Sequence, residues 1–254
     1  DMMAPLHEKG FTKLDKWQIK SIKLMNKFTS QIIAAPTSSG KTALALYTAK
    51  FGPILFVAPK EAIAVQVAGT LSKIYGKSVP LVTSTIGDNI ELSKVGILFD
   101  KKQLYKYYEN APALVVTPEK GCDILPSLNL YKFKYVIFDE IHCLNDINIG
   151  HNIEFILKMV CQAEIPFLAL SATIGNLSWI KNKINNFNKK PIETIICNRR
   201  FFNLQSAVYD TNKKDIINLN PLSMINIDEF ESKKILKRNF QQTPPDTWQL
   251  YTKL

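Results

Sequence analysis

Ala35-Pro-Thr-Ser-Ser-Gly-Lys-Thr42 stands between the short apolar run Gln31-Ile-Ile-Ala34 and an Ala- and Leu-rich stretch of helical period that begins at Lys41. The order is strand, tight loop, helix. Successive backbone N–H groups in such a loop and the positive end of the following helix favour an anion. Lys41 is placed to neutralise the outer phosphates of a nucleoside triphosphate, and Thr42 to ligate Mg²⁺. Pro36, Thr37, Ser38, Ser39 and Gly40 complete the predicted phosphate-binding set, with Ala35 where the general pattern asks for Gly. Gly-Lys-Thr by itself is a weak signal, so the remainder of the chain has to decide.

A chain of 254 residues, 46% of them hydrophobic, can bury a full core. Its apolar runs are far shorter than a bilayer span and no secretory signal opens it, so the reading is soluble and cytoplasmic, with a nuclear location left open. Cys122, Cys143, Cys161 and Cys197 lack CxxC spacing and read as thiols in the core. The net charge of +10 suits an anionic partner such as nucleic acid and equally suits an AT-rich coding bias. Nearly all of the positive charge is lysine, the arginines being Arg199, Arg200 and Arg238. The lysine pairs at 181/183, 189/190 and 233/234 read as solvated faces, and Trp17, Trp179 and Trp248 as packing residues.

Downstream of the loop, short apolar runs alternate with amphipathic stretches. Strands are predicted at 54–58, 79–83, 96–99, 113–117, 135–139 and 166–171, and helices at 15–28, 41–51, 60–75, 101–108, 118–125, 150–162 and 176–187. Uninterrupted apolar strands need cover on both faces, which predicts a doubly wound, mostly parallel α/β sheet between helix layers. Ligands in such sheets gather at the carboxyl ends of the strands. From about Lys189 the rhythm stops; strands at 191–198 and 203–210 and a mixed tail predict a boundary near 188–191, giving a domain over 1–190 and an extension over 191–254.

At Tyr135-Val-Ile-Phe-Asp-Glu-Ile-His142 a buried strand ends in two carboxylates and a histidine. Asp139, at the strand tip, is predicted to hold Mg²⁺ through water. Glu140 is predicted to orient and deprotonate an attacking water. Ser171-Ala-Thr173 closes the next strand on the same sheet edge.

Taken in order and spacing, 35–42, 139–142 and 171–173 resemble motifs I, II and III of superfamily 2 helicases, whose loops carry Ala at the position of Ala35. The resemblance implies a RecA-like fold and ATP as the nucleotide. Gln18, seven residues after Phe11, is similar to the adenine-reading Q motif. Ala58-Pro-Lys-Glu61 with Gln66, Gly87-Asp88, and Thr117-Pro-Glu-Lys120 look like motif Ia, the following Gly-Asp element and motif Ib. By that resemblance Pro59, Lys60, Gln66, Thr117, Pro118 and Lys120 face nucleic acid, while His142, Ser171 and Thr173 couple nucleotide state to motif III. Asp-Glu-Ile-His-Cys-Leu144, Gly150 and Ser171-Ala-Thr-Ile-Gly-Asn176 look like the superkiller-type (Ski-like) group, which implies single-stranded RNA ahead of DNA.

In this family hydrolysis and strand movement need a second RecA-like domain with a Gln-x-x-Gly-Arg-x-x-Arg segment, which the sequence lacks. The chain is therefore expected to be part of a longer helicase, to bind ATP and to hydrolyse it slowly alone. The rival readings are a nucleotide-gated RNA clamp or sensor that does not unwind, and a P-loop kinase or translocase for which Gln18, 117–120 and 171–173 are coincidences.

Overall fold

Short runs rich in Ile, Leu, Val, Phe and Tyr make the strands, and in the five inner strands every side chain is buried. The computed structural model describes residues 14–37, 39–83, 108–172, 177–197, 206–211 and 214–219. The strands are β1 (Gln31–Ala34), β2 (Ile54–Val57), β3 (Leu81–Val82), β4 (Ala113–Val116), β5 (Tyr135–Phe138), β6 (Phe167–Ser171) and β7 (Glu193–Ile196). They form one sheet in the order β3-β4-β2-β5-β6-β1-β7, and every pairing is parallel. Ala34 lies opposite Ser171, and Val57 opposite Phe138. All strand carboxyl ends therefore reach one edge. The α/β, doubly wound class expected from the sequence is the class observed.

The helices are α1 (Lys16–Met25), α2 (Lys41–Leu46), α3 (Glu61–Tyr75), α4 (Pro118–Ile124), α5 (Gly150–Gln162) and α6 (Leu177–Asn185). Strand side chains alternate between the two faces, and this divides the core in two. Ile32, Val136, Phe138 and Ala169 pack with Ile153, Ile156 and Val160 of α5 and Ile180 of α6. Ile33, Phe56, Ile137 and Leu170 pack with Met25 of α1, Leu44 of α2 and Val67 of α3. Among the described residues, three helices cover each face.

A reciprocal pair of buried bonds ties α1 to β1 within this apolar setting. Ser21 Oγ of α1 donates to Gln31 Oε1 at 2.8 Å, and Gln31 Nε2 returns a bond to the Ser21 carbonyl at 3.2 Å. Both residues are buried.

Local chemistry moved several predicted boundaries. The helix expected at 41–51 is α2 followed by a 3-10 turn, Tyr47–Phe51. Thr48 Oγ1 bonds back to the Ala45 carbonyl at 2.6 Å, and Gly52 at φ 132° ends the segment. The strand expected at 79–83 shrinks to β3 because Pro80 has no N–H and the Val79 N–H is taken by Ser72 Oγ at 3.1 Å. Past the 188–191 cut, β7 continues the sheet alongside β1, and the first compact unit runs to Asn198. Its exposed Glu193 and Ile196 around buried Ile195 are the pattern of an edge strand. In the second unit β8 (Ser206–Asp210) and β9 (Asp215–Leu219) pair antiparallel. The strand expected at 96–99, all but the end of the helix at 101–108, and Gly10, Phe11, Ser38, Gly87, Asp88, Thr173, Trp248 and the three arginines lie outside the described residues.

Trp179 is not a packing residue: it is 43% exposed, with Lys183 Nζ 5.0 Å from its ring centre. The four cysteines are free, and burial pushes the Cys161 thiol up to about 12. Among the described residues no helix is long and apolar enough to cross a membrane.

Candidate active site

The nucleotide loop leaves β1 pinned to β6, since Ala35 N donates to the Ser171 carbonyl at 3.0 Å. Ala35 is fully buried there and its φ is not positive, so the backbone makes no demand for glycine. Gly40 is different. It caps α2 at φ 83°, ψ 18°, a left-handed conformation that costs a side-chain-bearing residue about 1 kcal/mol or more. That turn aims the start of α2 at the loop, and Leu44 N closes the first helical bond on the Gly40 carbonyl at 3.0 Å.

Lys41 folds back over the loop, its Nζ donating to the carbonyls of Ala35 at 2.6 Å and Pro36 at 2.8 Å. Burial lowers the pKa of this amine, and the nearby carboxylates Glu140 and Asp139 act in the opposite sense. Gln18, at the third position of α1, accepts from Asp15 N at 2.9 Å and donates from Nε2 to the Ser39 carbonyl at 3.3 Å. Its second amide hydrogen and second lone pair stay available.

Across the cleft, Asp139 is buried at the tip of β5 and accepts from Glu140 N at 3.0 Å. Burial, with the Glu140 charge beside it, pushes its carboxyl up to about 6 against the opposing pull of that hydrogen bond, Lys41 and His142. Glu140 itself sits at φ 49°, ψ 53°. A left-handed glutamate costs roughly 1 kcal/mol or more, a strain that functional sites tolerate where surrounding contacts hold it. Here Ala172 N donates to Glu140 Oε2 at 3.2 Å, and His142 Nδ1 lies 3.2 Å from the same oxygen. His142 Nδ1 is also 3.4 Å from Ser171 Oγ, so one imidazole nitrogen stands between the end of β5 and the end of β6.

These groups share a cleft of about 440 Å³, lined by Thr37, Gly40, Lys41, Thr42, Asp139 and Glu140 and walled by α3. Sequence reasoning missed that wall. Ile63, Gln66, Val67 and Thr70 face it. The i, i+3, i+4, i+7 spacing, with two polar residues in an apolar stripe, was the available signal. Gln66 was expected on a strand-binding face and lines the nucleotide cleft.

The other strand-binding candidates lie at the ends of β2 and β4. Lys60 caps α3 and is exposed, next to half-buried Pro59. Thr117 caps α4, Pro118 is the first residue of that helix, and Lys120 Nζ is 3.5 Å from Asp123. Thr117 Oγ1 is buried and has no hydrogen-bond partner among the described residues.

The DEAD/DEAH box helicase family model matches residues 15–180, which contain Gln18, the loop and both carboxylates. The chain belongs to the DEAD/DEAH box helicase family. A human relative of this helicase domain, named probable ATP-dependent RNA helicase DDX60-like, is 30% identical over 171 residues, 63% of this chain and 9% of its own length. The ATP-dependent DNA helicase Hel308 of Methanococcus vannielii is 28% identical over 235 residues, 84% of this chain and 28% of its own length. The chain thus spans a minor part of the curated relatives it matches. In fold, the helicase domain resembles a hypothetical ATP-dependent RNA helicase from Sulfolobus tokodaii, with a TM-score of 0.58 and 24% identity over 76% of this chain and 56% of that one.

The residues of the helicase domain fit a magnesium–triphosphate. Ser39 Oγ is buried beside the loop with no partner among the described residues, Thr42 is exposed to the cleft, and Asp139 offers oxygen to a hard cation.

Asp139 should make the domain less stable than it could be. An acid whose folded pKa is raised, here from 3.8 to about 6, favours folding in its protonated form. Stability therefore falls as pH rises between those two values, by about 3 kcal/mol in all. Asp139→Asn is expected to recover most of that at pH 7 and little at pH 4. Denaturant melts at the two pH values test it; equal gains, or a loss at pH 7, overturn it.

Proposed function

We propose that this chain is the first motor domain of an ATP-dependent nucleic-acid helicase of superkiller type, acting on single-stranded RNA ahead of DNA. The observation that carries the hydrolytic reading is the Glu140 carboxylate, which accepts from Ala172 N and lies in the same cleft as Lys41.

The residues divide the work by position. Gly40, the N–H groups of the loop and Lys41 bind the phosphates, with Pro36, Thr37 and Ser39 shaping the loop and Ser38 expected among the phosphate contacts. Gln18 reads the adenine edge with its remaining donor and acceptor. Thr42 and Asp139 would hold Mg²⁺, which when bound neutralises the phosphate oxygens. Glu140 orients a water in line with the outer phosphate and takes its proton. His142, between Glu140 and Ser171, couples the cleft to the strand side, with Thr173 as its expected partner. An arginine from a second RecA-like domain completes the charge around the phosphates, and residues beyond Asn198 lead to that domain.

RNA is placed first on the superkiller-like motifs and the human relative's name; the archaeal relative is named for DNA. The full-length protein is expected to hydrolyse ATP faster with single-stranded RNA than with single-stranded DNA of the same sequence. If Pro59, Lys60, Thr117, Pro118 and Lys120 form the strand-binding edge and about five phosphates are neutralised, log K falls by about 3.5 per decade of salt. Raising salt from about 50 to about 200 mM then weakens binding roughly a hundredfold. A flat salt response overturns the basic groove, and stronger stimulation by DNA overturns the RNA assignment.

A further inference from the structure

One stripe of α3 reaches the nucleotide cleft, and three of its four residues have evident structural work. Val67 is buried, Ile63 packs against the same core, and Thr70 Oγ1 donates to the Gln66 carbonyl at 2.9 Å. The Gln66 side chain is exposed, faces the cleft that holds Lys41 and Glu140, and makes no hydrogen bond among the described residues. A carboxamide donates and accepts at once without carrying charge. Glu140 can take a proton from water but, as an ionised carboxylate, can donate nothing back. A water held by Glu140 alone is therefore free to swing away from the phosphorus.

We propose that Gln66 is a positioning residue for ATP hydrolysis, its carboxamide accepting from the attacking water and donating to an outer phosphate oxygen. The inference rests on the hydrolytic role given to Glu140 above. In the step itself the water oxygen bonds to the outer phosphorus, and the bond from that phosphorus to the bridging oxygen breaks with its electron pair leaving on ADP. The water's proton passes to Glu140. Gln66 exchanges no atom; it fixes the line of attack.

The strand-contact role expected for Gln66 sits poorly with this placement. Lys60 caps the end of α3 and Gln66 follows six residues on, about 9 Å along the axis. On that rigid helix, a strand bound near Lys60 can shift Gln66 within the cleft, so the effect belongs to the strand-stimulated rate.

The test uses the full-length protein with ATP and an oligouridylate. Gln66→Ala is expected to lower the stimulated kcat roughly 10- to 100-fold, with the KM for ATP and half-saturation by oligouridylate unchanged within about threefold. Gln66→Glu keeps an acceptor but loses the donor, and its activity relative to wild type at the same pH should recover as pH falls and the new carboxyl takes up a proton. A merely structural role would not produce that pH profile. If half-saturation by oligouridylate rises while kcat holds, Gln66 belongs to the strand face and the proposal is wrong. If Gln66→Ala turns over normally while Glu140→Gln is dead, the proposal alone falls. If Glu140→Gln is active, the hydrolytic reading falls and takes the proposal with it.

Discussion

The isolated chain, given saturating ATP and single-stranded RNA, is expected to bind the nucleotide and turn it over roughly 10³ to 10⁵ times more slowly than the full-length protein. The cause is charge. As the outer phosphoryl group transfers, negative charge spreads over its oxygens, and an arginine supplied from a second domain is worth that factor in related phosphate-loop enzymes. The described residues contain no arginine, and the lysine in the cleft wall is Lys41. Burial also works against the charge of that amine. Single-turnover hydrolysis by the chain and by the full-length protein decides the matter, with a fluorescent ATP analogue reporting binding to each. Equal rates would mean that 254 residues hold a complete site. Failure to bind the analogue would contradict the loop geometry.

Glu140→Gln should have the second large effect: kcat of the full-length protein lower by roughly 10² to 10⁴, with nucleotide affinity close to wild type. The substitution keeps an oxygen for Ala172 N and the reach toward His142, so the cleft keeps its shape. What it removes is basicity. It also removes a charge that helps to raise the Asp139 carboxyl, so that carboxyl should titrate below its wild-type value of about 6. Rapid-quench kinetics with analogue binding separates the two functions. Retained turnover would move the base elsewhere, and a parallel loss of binding would make Glu140 a nucleotide ligand.

The parallel sheet was legible because Tyr135-Val-Ile-Phe138 and its counterparts are apolar on both faces, a pattern with few alternatives to burial between helix layers. The carboxyl-end clustering of Lys41, Asp139 and Ser171 followed from that topology. Which way α3 turns Gln66 was not legible, because spacing along a chain fixes residues relative to one helix and says nothing of what that helix faces. Strand β7 was expected within 191–198, but its place in the main sheet beside β1 was not, for a related reason. After Lys189-Lys-Pro191 it reads as part of the extension until Gln31 is seen opposite Glu193. The left-handed Glu140 left no trace at all, since glutamate carries no preference for that conformation. The contacts its carboxylate makes, with Ala172 N and His142, were equally out of reach, because one partner lies 32 residues on and the other is placed by the following turn.

The paired bonds between Ser21 and Gln31 have a bearing on where Gln18 stands. Sliding α1 along the sheet by one residue would leave two buried polar side chains without partners, at about 1–3 kcal/mol each. That penalty, rather than the exposed Asn26 and Lys27 that follow α1, indexes the height of Gln18 over the Ser39 carbonyl. If Gln18 reads adenine as proposed, discrimination between adenine and other bases rests in part on a contact that touches no nucleotide.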